Sequence, residues 1–77
     1  MRYLRLESVG IADNRFRWYV VVVAPTLWHG WGVLCQWGRL DQAARGRRVL
    51  EAGTRDGALA RAAEVVELRL RHGYRVK

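Results

Sequence analysis

Trp37, Gly38 and Arg39 place a flat aromatic, a residue without a Cβ and a planar cation side by side. At a strand end such a trio can stack on a ring or sugar, admit another backbone closely, and fork onto a phosphate or carboxylate. Arg45, Arg47 and Arg48 crowd the stretch after it, and Arg15 and Arg17 open the preceding apolar run. Gathered on one surface with Trp28 or Trp37 exposed, these arginines would hold a nucleic-acid backbone with strong salt dependence. Scattered, they are ordinary solvated cations. Trp37 shares its alternation with Trp31, Val33 and Cys35, so it is either a core residue or one turned outward by a bulge at the strand end. Gly38 reads as relief for close packing. Arg39 is either a phosphate ligand or the internal partner of Glu51 or Asp41.

Other reactive residue types stand alone. His29 and His72 have no paired carboxylates near them and only one cysteine in the chain, so no metal site is expected. His72 suits a helix C-terminus, and Cys35, on an apolar strand face, reads as a small core residue without a catalytic base. Neither a phosphate-cradling glycine loop nor a nucleophile constellation is present. The expectation is a protein that is not an enzyme, with no catalytic residues, no cofactor and no small-molecule substrate.

Fourteen basic residues, thirteen of them arginine, against seven acidic give a net charge of +7. Codon preference can explain arginine over lysine but not the excess of positive charge, which points to a polyanionic partner. Seventy-seven residues make one small domain, 1–77, hiding only roughly 60–65% of the unfolded surface, so dimerisation would add useful burial. The lone cysteine excludes an internal disulfide framework and fits a cytoplasmic setting. The charged start Met1-Arg2-Tyr3-Leu4-Arg5 does not read as a signal peptide. The apolar stretch from Trp18 to Trp28, broken by Pro25, is too short for a bilayer.

The elements that must position these residues follow from periodicity. Arg2 to Val9 alternates weakly, Leu4 and Leu6 against Arg5 and Glu7, as a half-buried strand. Gly10 to Asn14 is a turn. Arg15 to Ala24 is apolar on both faces and β-branched, so it belongs at the sheet centre with cover on both sides, and Pro25 ends it. Trp31 to Arg39 is the next strand, with Gly32, Leu34, Gln36 and Gly38 on its second face. After a connection from Leu40 to Gly46, Arg47 to Ala52 forms a short strand with Val49 inward, closed by Gly53. Thr54 caps a helix from Arg55 to about His72, with Asp56 in its first turn. Leu59, Ala62, Ala63, Val66 and Leu70 make its apolar stripe, widened by Val65 and Leu68. Gly73 ends the helix and Tyr74 packs back. The fold class is α+β: a small antiparallel sheet of four or five strands with one C-terminal helix on one face.

With these elements in order, the chain resembles a WGR domain, the small DNA-contacting domain of poly(ADP-ribose) polymerases and of single-domain bacterial relatives. The resemblance rests on Asn14-Arg15-Phe16 before the long strand, Trp18 to Val23, Trp31 to Gln36 leading into Trp37-Gly38-Arg39, Gly46 with Arg47 to Glu51, Thr54 to Ala58, and Arg71-His72-Gly73-Tyr74. It covers nearly the whole chain. It implies that Trp37 stacks on a nucleic-acid sugar at a break or end, and that Arg39 supports that surface. The family usually continues its trio with Val or Ile and then Gly; here Leu40 is followed by Asp41, which tolerates left-handed backbone better than most residues but adds a negative charge. The functional expectation is a module contacting DNA backbone, at ends or nicks, without sequence readout. The alternative is a protein-interaction or homodimerisation module, favoured by the aromatic loop Leu27 to Trp31.

Overall fold

The computed structural model describes residues 2–27 and 30–77. Five strands and one helix follow in the order β1 (Arg2–Gly10), β2 (Arg15–Pro25), β3 (Trp31–Arg39), β4 (Gly46–Glu51), α1 (Arg55–Arg71) and β5 (Arg75–Val76). They form one antiparallel sheet in the order β4-β3-β2-β1-β5, so the valine-rich β2 lies at its centre. Two unpaired ladder edges on that strand would be the greatest association hazard in the chain, and the meander removes both. Asn14, at φ 51, turns the chain from β1 into β2. Among the described residues no helix is long and apolar enough to cross a membrane.

Helix α1 lies across β2 and β3. Its N-terminus is closed as the sequence predicts: the Thr54 hydroxyl accepts from the Gly57 backbone N–H. Its C-terminus closes with two reversed bonds, Tyr74 N–H to the Arg69 carbonyl and Gly73 N–H to the Leu70 carbonyl, while Gly73 sits at φ +90. That turn drops Tyr74 into the core and aims the two-residue β5 at the outer edge of β1.

The core fills the space under the helix. Leu6 from β1, Tyr19, Val21 and Val23 from β2, and Val33 and Cys35 from β3 meet Ala58, Ala62 and Tyr74. Small residues on the helix let it approach a sheet already crowded with aromatics. The buried stripe is centred on Ala58 and Ala62, with Leu59, Val65 and Val66 half-buried beside them; Ala63, Leu68 and Leu70 are exposed. The predicted stripe is therefore rotated by part of a turn, because the aromatic layer on the sheet selects the alanine side of the helix.

Two further expectations are corrected. Val49 points to the helix-free face and is 53% exposed; Leu50 packs on the core instead, since the register pairs it with Val33. Among the described residues no helix or strand covers the second face of β2. Trp18 and Val20 are nonetheless buried, Trp18 beneath the Arg5 guanidinium at 5.4 Å and tied by its indole N–H to the Gln42 carbonyl at 3.3 Å. Long side chains of the sheet itself supply the missing layer.

Candidate functional site

The register of β2 and β3 builds the site. Tyr19 lies directly across from Trp37, and two residues further along the same face Arg17 lies across from Arg39. All four belong to the helix face of the sheet, at the end of the close-packed core, which Tyr19 closes and Trp37 packs against. Two arginines held opposite one another repel, an arrangement that packing alone does not favour.

Trp37 packs on the core without being sealed inside it. Its ring is stacked on Tyr19, centroids 5.7 Å apart and planes within 8°, and it packs against the core. It also remains half-exposed and lines a cavity of about 490 Å³. The stack is held from below by Gly46, where a Cβ would come within 2.5 Å of the indole, and by a bulge in which the Arg45 N–H donates to the Trp37 carbonyl. From the helix, the Arg69 guanidinium lies 4.5 Å over the Tyr19 ring, and Tyr74 meets Tyr19 edge-on at 6.0 Å.

The cavity wall thus carries four arginines, Arg17, Arg39, Arg45 and Arg69, around Tyr19, Trp37, Tyr74 and the backbone at Gly38. Among the described residues no carboxylate lines it. Among the described residues none of the four arginines is in an ion pair, whereas Arg5, Arg61 and Arg71 each have an acidic partner. The Arg69 Nε is buried and lacks a hydrogen-bond partner among the described residues. Leaving such a donor unpaired costs on the order of 1–3 kcal/mol. Burial pushes the Tyr19 hydroxyl up to about 12, with the neighbouring Cys35 thiol adding to the rise and Arg69 opposing it. Tyr19 therefore stays a neutral platform through the physiological range.

Of the sequence candidates, Arg17, Trp37, Gly38, Arg39 and Arg45 come together here. Gly38 has the steric role expected of it, since a Cβ there would meet the Ala43 carbonyl at 2.9 Å. Arg47 does not join them. Its register places it opposite Gln36 on the helix-free face. Arg48 shares the face of Trp37, opposite Cys35, yet lies outside the cavity wall. Arg15 is occupied, donating to Ser8 Oγ at 2.8 Å and pairing with Asp13 at 2.9 Å. Arg39 does not pair with Glu51, which sits at the far end of β4 opposite Gly32. Trp28 and His29 lie outside the described residues. Asp41 adopts φ 64, the left-handed backbone that its position demands, in an exposed turn outside the cavity wall. Among the described residues no cluster of three His, Cys, Asp or Glu could hold a metal ion.

Sequence reasoning missed Arg69, Tyr19 and Tyr74 as site residues. Arg69 was hidden because it sits where a helix stripe calls for an apolar residue, seven positions after Ala62. A cation at a stripe position is the signal that could have found it. Compared with family models, with curated proteins and with solved structures, the chain finds no match.

Proposed function

We propose that this chain is a nucleic-acid-binding module of the WGR type, holding the DNA backbone, at ends or nicks, without reading sequence. The observation that carries this reading is the convergence of four arginines, unopposed by any acid, on an aromatic floor. Guanidinium groups fork onto phosphate oxygens, and phosphate recurs at every nucleotide, so such a wall binds backbone whatever the base. The exposed part of Trp37 supplies a flat surface on which a sugar or a terminal base can rest. The single buried thiol, Cys35, suits a cytoplasmic setting.

The test is a titration with short blunt, nicked and single-stranded DNA at two salt concentrations. Binding at low salt that weakens steeply with added salt, and that is tighter where an end or nick is present, is the expected result. No binding at low salt removes the proposal. Equal affinity for every substrate removes the preference for ends. A second reading, a protein-interaction or dimerisation module, draws on a separate observation: Tyr3, Val9 and Val49 stand exposed on the helix-free face.

A further inference from the structure

We infer that the open edge of β4 docks on β4 of a second copy of this chain, making a two-fold symmetric dimer with one continuous sheet. On the opposite edge of the sheet the two-residue β5 interrupts the outer side of β1 by pairing with Leu6 and Glu7, whereas all six residues of β4 present one uninterrupted side to solvent. Their backbone parity is fixed by the bond from Ala52 N–H to the Trp31 carbonyl, which extends the β3–β4 register by one pair. Hydrogen-bonding pairs alternate along an antiparallel ladder, so Gly46, Arg48 and Leu50 turn their N–H and C=O groups towards β3. Arg47, Val49 and Glu51 turn theirs outward.

These same three residues project their side chains from the helix-free face, because they pair with Gln36, Leu34 and Gly32. Antiparallel docking about a two-fold axis at Val49 sets Val49 against its own copy and Arg47 against Glu51 of the second copy, twice. Each of the three pairs brings outward N–H and C=O groups together and exchanges two backbone hydrogen bonds. Shifting the register by one residue breaks that parity. Shifting by two pairs Arg47 with Val49 or Val49 with Glu51 and loses the charge match. Within one copy, Arg47 and Glu51 lie four residues apart on a strand, too far to meet, and neither has an ion-pair partner among the described residues.

The apolar rows also join. Tyr3, Val22, Leu34 and Val49 lie side by side across β1, β2, β3 and β4, and the two-fold continues that row into the second copy. The exposed Val49 gains a neighbour, and the two Arg47–Glu51 pairs bracket it against the general repulsion of two chains of net charge +7. An edge of this length is a small interface, so self-association is expected to be weak.

The test uses the protein alone, so it succeeds or fails separately from nucleic-acid binding. Sedimentation over a concentration series should show a monomer–dimer equilibrium. Arg47→Glu and Glu51→Arg, each setting like charges across the two-fold, should each weaken association by about tenfold or more. The double reversal, Arg47→Glu with Glu51→Arg, should restore it. In parallel, Val49→Cys should form an intermolecular disulfide under mild oxidation, because directly paired strand residues lie about 5.5 Å apart at Cα. Cys35 is buried and supplies the control background. A wild type that stays monomeric to roughly 1 mM overturns the inference. So does a dimer that both single reversals leave intact, or a folded double reversal that remains monomeric.

Discussion

On the proposed function, Arg39 would serve the site at the expense of the fold. It faces Arg17 across the β2–β3 ladder with no carboxylate in the cavity wall. Arg39→Gln removes that repulsion, so thermal denaturation should show a variant equal to or more stable than wild type by a few tenths of a kcal/mol. The same variant should bind DNA more weakly. A variant that loses stability instead would place Arg39 in the scaffold. Tyr19 gives a second prediction. Its hydroxyl titrates higher in the folded state, up to about 12 from an ordinary 10.0, so the folded chain holds its proton more firmly than the unfolded chain does. That contribution is complete below pH 10 and is lost as pH rises from 10 towards 12, roughly 3 kcal/mol in all. Tyr19→Phe should flatten that part of an alkaline denaturation profile.

Elements place these residues, and the tightest constraint lies between β3 and β4. Gly46 leaves the space that the Trp37 indole occupies, with any Cβ falling 2.5 Å from the ring. Gly46→Ala must push Trp37 off Tyr19 or bend the start of β4, and chemical denaturation should report a loss of about 1–3 kcal/mol. Quenching or a spectral shift of tryptophan fluorescence should accompany it, and DNA affinity should fall with the displaced stack. Helix α1 contributes through Arg69, carried one turn before the closing Gly73 so that its guanidinium covers Tyr19. Closure of the helix and completion of the cavity are thus one local event: the turn that buries Tyr74 also fixes the last arginine.

For the whole molecule, charge decides behaviour more than area does. A net charge of +7 favours any polyanion, and among the described residues Arg17, Arg39, Arg45 and Arg69 are held together around aromatic rings. If each engages a phosphate, the logarithm of affinity falls with the logarithm of salt at a slope near −0.9 per contact. Arg45→Gln should then lower that slope by roughly one, whereas Arg61→Gln, on the outer helix face and already paired with Glu64, should leave it unchanged. Equal effects from both would mean diffuse attraction without a site.

Local chemistry carried much of this protein. The central place of β2 follows from its unbroken β-branched run, the helix bounds from Thr54 and Gly73, and the facing of Trp31, Val33, Cys35 and Trp37 from simple alternation. Gly38 and Asp41 could likewise be read from what a missing Cβ permits and what left-handed backbone tolerates. Strand pairing, by contrast, is set by contacts between segments, and a one-residue difference in register exchanges the two faces. That is why Val49 and Leu50 traded places, why Arg47 left the group of arginines, and why the helix buried its alanine side rather than Leu70. It is also why the site has Arg69, fifty residues from Tyr19 in the chain and 4.5 Å over its ring. The sequence determined which faces were apolar and where the turns fell; the tertiary structure decided which arginines share a cavity, because only packing brings charges from two strands, a connecting loop and a helix to one place.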